Sequence, residues 1–471
     1  MASWILISGG TVIDGTGKEP MPGHDVLLHG DLIADVAPGI DVDSAVPRGE
    51  AVERIDASDK TVMPGLIDAH CHTSFGEARL QEEQCLYTSH ELRVLRSMTN
   101  LPRVLRAGVT SISVPGGSYF IDVGLRDGVN EGILQGPRMA CAGRFISTET
   151  GIGAFYPSSV GNPEGSVGKI VSTPDEMEKE VVFQVKGGVD LIKIADSNLG
   201  QWEAFSPDQV KRMSDTAHRH NKKVTMHARG SKNVDAAVAA EIDWIMHGNV
   251  MTDDTIERLA DSKIPLCPVL LLLANIHDFG EVIGVPAVKR ENYKRLLDQA
   301  GEIYHKAKTA GVTFITGTDS GFAHTPFGEW HARELELLVT YAGLSPLEAI
   351  RAATFDCAVT LCGLEDIGSI APGKGADVLV VNGDPSKDVR ILQNRANFDK
   401  VISRGRVLTF DDADFETRRP YDRAKHIAPG EVTYGEVDSL LMGELGIDQE
   451  EAGDLLRDLK SAGQALRESS V

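Results

Sequence analysis

The clearest indication of the fold comes from residues 191–247, which read LIKIADSNLGQWEAFSPDQVKRMSDTAHRHNKKVTMHARGSKNVDAAVAAEIDWIMH. Three short apolar runs, at 191–194, 223–227 and 244–247, alternate there with segments of helical periodicity. A strand that is followed by a helix and then by another strand is typical of parallel sheets with helical crossovers. The stretch therefore predicts consecutive β-α units.

The same alternation continues on both sides of this stretch. The further candidate strands are 65–68, 110–114, 138–140, 265–272 and 313–316. The candidate helices are 173–186, 207–220, 233–240 and 288–310. Strands that alternate with helices in this number predict an α/β fold, a (β/α)8 or TIM barrel, over residues 61–365.

The two ends of the chain have a β pattern without helical segments. Residues 1–60 contain short apolar runs and a hairpin turn at His29-Gly30-Asp31, which predict a small antiparallel sheet. The β pattern returns after residue 366, and the simplest architecture joins 1–60 and 366–415 in one β-sandwich domain. Leucines at helical spacing predict a helical tail within 416–471, packed on the barrel or on a neighbouring subunit, so we expect a homo-oligomer.

Composition and charge limit the classes of partner that we expect the protein to bind and the compartment in which we expect it. The 471 residues carry a formal net charge of −22, which repels nucleic acid and anionic membranes, so we expect a small-molecule substrate instead. The longest apolar stretch, 264–275, is too short to cross a bilayer. Six scattered cysteines without a CxxC motif indicate reduced, mostly buried thiols, and the N-terminus lacks the basic region of a signal peptide. Together these features predict a cytoplasmic protein.

Several candidate metal ligands lie at the ends of predicted strands. His70 and His72 are one pleat apart, so both imidazoles point to the same side of the strand, although two unrelated loop histidines are the alternative. His227, His247 and Asp319 each end or follow another predicted strand. The carboxyl ends of barrel strands form one face, and imidazole with carboxylate suits Zn²⁺ or a similar first-row ion.

Lys193 lies inside an otherwise apolar strand, LIKIA. A lysine in such a place loses its charge readily, because desolvation lowers the pKa of the ammonium. The neutral amine can react with CO₂ to give a carbamate, which is an anionic oxygen ligand. A salt bridge to Asp196 is the alternative.

Five motifs together resemble the amidohydrolase superfamily, and in particular its imidazolonepropionase and prolidase-like branch. They are MPGLIDAHCH (63–72), IKI (192–194), GTD (317–319), AAT (352–354) and GSIAPGKGAD (368–377). The resemblance covers most of the chain but excludes the tail. It implies a TIM barrel flanked by a β-sandwich that is built from both chain ends.

The resemblance also implies two divalent metal ions per chain, with zinc the first expectation. His70, His72 and Asp319 would bind one ion, and His227 and His247 would bind the other. Both ions would share one further ligand, a bridging carboxylated lysine, which is the carbamate derived above.

The reaction implied is metal-dependent hydrolysis of a C–N bond by a metal-bound hydroxide, with an amide, urea or carbamate in a small molecule or dipeptide as substrate. Asp319 would be the catalytic residue that accepts the water proton and passes it to the leaving nitrogen. Arg229, on the same strand face as His227, would orient a substrate carbonyl or anion. His324 and Tyr119 are further substrate-binding candidates, for which ordinary surface roles compete.

The sequence departs from the branch at the substrate pocket. Many members carry a second histidine where this chain has Arg229, so no named substrate is carried over. One alternative function is a deaminase, but deaminases of the superfamily usually hold one metal and lack the bridging lysine, so Lys193 favours hydrolysis. A catalytically silent assembly protein is another alternative; it would lack metal ligands, and none of the six is missing here.

Overall fold

The computed structural model describes residues 4–77, 83–154, 156–162, 167–364 and 366–410. The strands are β1 (Trp4–Val12), β2 (Met21–His29), β3 (Leu32–Ala37), β4 (Val52–Asp56), β5 (Lys60–Pro64), β6 (Leu66–Asp68), β7 (Val109–Val114), β8 (Arg138–Cys141), β9 (Phe145–Ser147), β10 (Gly168–Ile170), β11 (Leu191–Ala195), β12 (Lys223–Gly230), β13 (Trp244–Val250), β14 (Leu266–Cys267), β15 (Val378–Asn382), β16 (Phe398–Ser403) and β17 (Arg406–Val407). The predicted helical tail, 416–471, lies outside the described residues.

The α-helices are α1 (Val42–Ala45), α2 (His90–Arg106), α3 (Ile121–Asn130), α4 (Pro174–Lys186), α5 (Pro207–Arg219), α6 (Ser231–Ala239), α7 (Asp253–Ser262), α8 (Leu270–Phe279), α9 (Ala287–Thr309), α10 (Arg333–Leu337) and α11 (Pro346–Ala352). Short π segments are Glu83–Tyr87 and Leu338–Ala342, and short 3-10 segments are Gly280–Ile283, Asp356–Leu361, Val389–Gln393 and Arg395–Asn397. The helix predicted at 173–186 is confirmed: Thr173 and Glu176 form a capping box that fixes its start. Among the helices described, none combines the length and apolarity needed to cross a bilayer.

Strands from both ends of the chain share one eight-stranded sheet, in the order β17-β16-β15-β5-β1-β2-β3, with β4 also paired to β1. The junction is antiparallel, with Val378 of β15 opposite Pro64 of β5. The predicted hairpin between β2 and β3 is confirmed. The prediction of a wholly antiparallel sheet in 1–60 is wrong, since β1 is parallel to β4 and to β5. The β2–β3 hairpin and α1 bring the chain back to the start of β1 before β4 begins.

The middle of the chain forms parallel sheets, as the β-α alternation predicts. One contains β6-β7-β8 and the other β10-β9-β11-β12-β13-β14. Further backbone hydrogen bonds connect them: Asp190 N donates to Cys141 O at 2.8 Å, beside β8 and β11, and Ala69 N donates to Thr316 O at 2.9 Å. The predicted strand 313–316 contributes only a single parallel bridge, between Phe314 and Leu266.

The prediction of a strand at 265–272 is wrong for most of these residues. β14 covers only two residues, and α8 begins at Leu270. Pro268 has no N–H for a ladder, and Val269 adopts φ 57°, which turns the chain out of the strand. The Glu334 carboxylate then accepts the N–H groups of Leu270 and Leu271 at 2.9 and 2.7 Å, which caps the helix. A capping residue so far away in the chain cannot be recognised from the apolar run itself.

Candidate metal centre

His70 and His72 follow β6, and their rings meet as the strand alternation predicts. The ring centroids are 4.9 Å apart and the two Nε2 atoms are 3.1 Å apart. His72 Nδ1 lies 2.5 Å from the carbonyl oxygen of Gly116, which can only accept a hydrogen bond. The proton of His72 therefore belongs on Nδ1, and Nε2 keeps its lone pair for the cavity.

Asp319 reaches the same point from another segment of the chain. Its Oδ1 is 2.9 Å from His72 Nε2 and 3.4 Å from His70 Nε2. The Asp319 N–H donates to His70 O at 2.8 Å, which fixes the two segments side by side. Asp319 also has φ 57°, a left-handed conformation that costs about 1–3 kcal/mol and is common at functional sites.

The glycine of the GTD motif permits this close approach. A Cβ at Gly317 would lie 2.4 Å from Cys267 Sγ and 2.8 Å from the Cβ of His70. Neither neighbour could move without shifting a packed strand. Only glycine therefore lets the segment before Asp319 pass so close to the histidine.

A second group of side chains comes from three neighbouring strands. His227 on β12 and His247 on β13 have ring centroids 4.3 Å apart, and the ring of His247 lies 5.7 Å from that of His70. Lys193 on β11 is opposite Thr225 of β12. The prediction that these histidines end their strands is wrong in detail, because β12 and β13 each continue three residues beyond them.

Lys193 is buried, with 3% of its surface exposed, and its Nζ contacts Met246 Sδ. Burial lowers the pKa of Lys193 to about 7. The alternative salt bridge to Asp196 does not form: Asp196 Oδ1 accepts from Ala204 N at 2.8 Å and from Asn233 Nδ2 at 2.9 Å. The lowered pKa favours the neutral amine, which is the form that carboxylation requires.

The protonation states suit metal binding. Burial lowers the pKa of His70, His227 and His247 well below the usual value, so their imidazoles are neutral near pH 7. Burial raises the pKa of Asp319, but its electrostatic interactions with His70 and His72 outweigh burial and hold that pKa far below the usual range. Neutral imidazoles and an ionised carboxylate are the forms that bind divalent cations.

The geometry of His70, His72 and Asp319, which we name the open cluster, fits such a cation. Its ligand atoms lie within 4.8 Å of one another. Two nitrogen ligands about 2.0–2.1 Å from one tetrahedral ion lie roughly 3.3 Å apart, close to the 3.1 Å between the two Nε2 atoms. Two imidazole nitrogens at that distance have either a proton or a cation between them. The Nδ1 atom of His247 is also buried without a hydrogen-bond partner in the described structure.

Both groups line one cavity of about 590 Å³. Its wall also contains aromatic and aliphatic side chains, including Phe75, Phe145 and Leu272. The predicted ligands that it brings together are His70, His72, Lys193, His227, His247 and Asp319. Gln84 and Asn198 also line the cavity, and the sequence pattern did not single them out. A mostly apolar cleft with a few converging polar groups is the usual form of a small-molecule site.

Of the three predicted substrate-binding residues, two line the cavity and one lies outside its lining. Arg229 and His324 line the cavity. Tyr119 does not line it: its side chain is 39% exposed, its ring stacks on His90 at 6.1 Å and it lies 5.6 Å from the Arg144 guanidinium. The left-handed backbone of Tyr119, φ 57°, accompanies this outward placement.

A second set of side chains, Asp68, Cys71 and His331, also has potential ligand atoms within 4.8 Å of one another, and we name it the closed cluster. Asp68 Oδ1 accepts from His70 N at 3.0 Å and from Thr318 N at 3.1 Å, and Oδ2 lies 2.7 Å from His331 Nδ1. His331 Nε2 accepts a backbone N–H, so its proton is on Nδ1 and is donated to Asp68. Asp68 thus joins the two segments that carry the open cluster.

This role of Asp68 cannot be recognised from the sequence. Asp68 lies within the quoted motif, but its spacing gives no indication that it contacts Thr318. His331 follows a loop without strand or helix periodicity, and no local pattern could have identified it.

Comparison with known proteins identifies the family of this chain. The model of the Amidohydrolase family matches residues 61–408. An ochratoxinase from Aspergillus niger is 25% identical over 412 residues, which cover 82% of this chain and 83% of that protein. An imidazolonepropionase from Chromobacterium violaceum is 25% identical over 391 residues, 76% of this chain and 85% of that protein. A solved Xaa-Pro dipeptidase is 26% identical with a TM-score of 0.75, covering 86% of this chain and 100% of its own. The family match spans well over half of the sequence, and the chain belongs to the amidohydrolase family.

Proposed function

We propose that this protein hydrolyses a C–N bond of a small molecule with the help of divalent metal ions bound in the cavity. The observation that carries the proposal is the convergence of the open cluster with Lys193, His227 and His247 on one cavity. The family match and the hydrolases among the relatives support C–N hydrolysis as the type of reaction. The bond would be an amide, a urea or a carbamate.

The proposed ligand set is the one that the resemblance implies. The open cluster would hold one cation, and His227 with His247 would hold a second, with zinc as the first choice. Lys193, whose pKa of about 7 leaves much of its amine neutral, would bridge them as a carbamate. Such cations polarise a carbonyl and lower the pKa of water.

The other steps belong to side chains of the chain itself. Asp319, ionised at neutral pH, is placed to accept a proton from the attacking water and to deliver it to the leaving nitrogen. Gly116 holds His72 in one orientation through its carbonyl, and Asp68 holds the backbone of His70. The apolar wall around Phe75 excludes bulk water from the reacting bond.

The proposal includes the finer architecture. We propose that the seven parallel strands β6, β7, β8, β11, β12, β13 and β14, together with the segment 313–316, close a (β/α)8 barrel over 61–365. The hydrogen bond from Ile315 N to Leu266 O at 2.9 Å and that from Ala69 N to Thr316 O support closure, because they carry the ladder from β14 back to the end of β6. The sheet formed from both chain ends would be the adjoining β-sandwich.

A substrate panel tests the proposal. Zinc-loaded protein is incubated with Xaa-Pro dipeptides, N-acyl amino acids and N-aryl ureas, and amine release is followed beside a metal-stripped control. We expect turnover of at least one class, lost on metal removal and recovered on adding zinc. Release of ammonia alone from amino-purines or amino-pyrimidines would indicate the deaminase instead. No turnover by fully metal-loaded protein would contradict the proposal and favour the silent assembly protein.

A further inference from the structure

A buried arginine stands beside the candidate metal centre. Arg229 lies two residues after His227 on β12, so both side chains project from the same face of the strand. It is 9% exposed and lines the cavity. Its Nη1 donates to Asn249 Oδ1 at 3.1 Å, and its Nε has no hydrogen-bond partner within the described ranges.

Among the described residues, no carboxylate forms an ion pair with the Arg229 guanidinium, although the Asp319 carboxylate acts on it across the cavity. Arginine stays protonated in proteins, and a buried charge is costly unless it is paired. The structure shows no ion pair for Arg229, and Asp319 carries the only carboxylate among the described lining residues. Oδ1 of Asp319 is directed at His70 and His72. Bound divalent cations would increase the excess of positive charge.

Two aromatic rings line the cavity at the other ligand group. The ring of Phe75 stacks on His72 at 4.1 Å, and Phe322 packs against Phe75 at 5.6 Å. A substrate whose reacting bond lies between the two ligand groups would therefore have its apolar end beside Phe75. Its other end would lie near Arg229, beside His227.

We infer that the substrate is an N-acyl amino acid whose free carboxylate binds Arg229 and whose apolar acyl group packs on Phe75 and Phe322. The planar guanidinium can bind a carboxylate through two parallel hydrogen bonds. A free dipeptide would place its ammonium in an apolar and positively charged region, and a neutral urea would leave Arg229 unpaired. The inference rests on the proposed function and narrows its substrate class.

The reaction balances without a further reactant. The oxygen of water bonds to the acyl carbon, and the bond between that carbon and the amino acid nitrogen breaks. One proton of water goes to the leaving nitrogen, and the second follows as the acid product ionises. The products are the acyl carboxylate and the zwitterionic amino acid.

The test compares N-benzoyl-L-leucine with N-benzoyl-L-leucinamide, which lacks only the charge, by benzoate release from zinc-loaded enzyme. We expect kcat/KM to be about 10- to 100-fold higher for the acid, because a hydrogen bond to a charged group contributes about 1.5–3 kcal/mol. Arg229→Gln should remove this preference by lowering the value for the acid and sparing that for the amide. Arg229→Lys should keep part of the preference for the acid over the amide. Arg258→Gln, the same change on the exposed face of α7, should leave both values unchanged.

A binding measurement makes the test independent of turnover. Calorimetry with 4-methylpentanoate, a carboxylate without a scissile bond, should show about 10-fold weaker binding to Arg229→Gln than to the wild type. Circular dichroism confirms that the variants are folded. Equal kcat/KM for the acid and the amide, or unchanged binding of 4-methylpentanoate by the variant, would overturn the inference. Hydrolysis of N-aryl ureas alone would overturn it and leave the proposed function standing, whereas absence of all turnover would count against the proposed function itself.

Discussion

The open and closed clusters both contact the His70 backbone, through Asp319 and Asp68 respectively, and look alike by composition and distance. Each contains histidine and aspartate, is buried and has its potential ligand atoms within 4.8 Å. In the closed cluster, both oxygens of Asp68 and both ring nitrogens of His331 have hydrogen-bond partners. In the open cluster, the two Nε2 atoms and the Asp319 carboxylate face one another at the cavity.

The difference shows that proximity of ligand-type residues does not define a metal site. A cluster that satisfies its own donors and acceptors has no lone pairs left for a cation, and it serves to hold the chain in place. A cluster whose acceptors converge on a cavity keeps lone pairs that can bind a cation. The following changes test this distinction.

The largest effect is expected for Asp319→Asn in the open cluster. The amide cannot accept the proton and is a weaker ligand than a carboxylate, so kcat/KM should fall by about 1000-fold or more. Turnover of the best panel substrate and metal content per chain are measured together. His220→Ala, at an exposed position after α5, is the control and should behave as the wild type. An Asp319→Asn enzyme with near-normal turnover would remove this residue from the mechanism.

The next largest effect is expected for Lys193→Ala. Loss of the proposed bridge should lower metal content from about two ions toward one and reduce kcat/KM by about 100-fold. Elemental analysis and activity assays of the same preparations test this. Full activity with one ion per chain would show that no lysine bridge is needed.

In the closed cluster, Asp68→Asn should have a smaller effect on activity. The amide can accept from Thr318 N, but it cannot match the charge that holds His331, so the open cluster loses its alignment. We expect kcat to fall by about 10-fold with little change in KM, and His331→Gln to add little in the double variant. Loss of all bound metal in Asp68→Asn would instead make the closed cluster a metal site.

The smallest effect is a pH dependence of the metal-free protein. Burial lowers the pKa of His324 to about 4. Between pH 6.5 and 4, the unfolded chain therefore binds a proton at this residue that the folded chain does not, so the folded state becomes less stable as pH falls. Denaturant titrations at pH 6 and at pH 5 measure how much free energy of unfolding is lost over this interval. The loss should be about 1 kcal/mol larger for the wild type than for His324→Gln. Equal losses would contradict the lowered pKa.

The six proposed ligands can be predicted from the sequence because each lies in or directly after an apolar run. Strand alternation and family motifs can be recognised in such runs. It also predicts the β-α alternation in the middle of the chain and the β character of both ends. It fails where distant contacts decide the structure. The cap that Glu334 provides turns the apolar run after Pro268 into α8, and the hydrogen bonds of Asp68 to Thr318 and His331 join segments that are far apart in the chain.

The exposed position of Tyr119 has a related cause. Tyr119 is a predicted substrate-binding residue, but its conformation and its contacts with His90 and Arg144 place it outside the cavity lining. Local spacing does not determine the direction of a side chain in a loop.

Anomalous diffraction from a zinc-loaded crystal, recorded at the zinc absorption edge, shows directly which cluster binds metal. We expect strong peaks within coordinating distance of the open cluster and of His227 with His247, and none beside Asp68 and His331. A peak in the closed cluster, or an open cluster that stays empty at saturating zinc, would contradict this expectation.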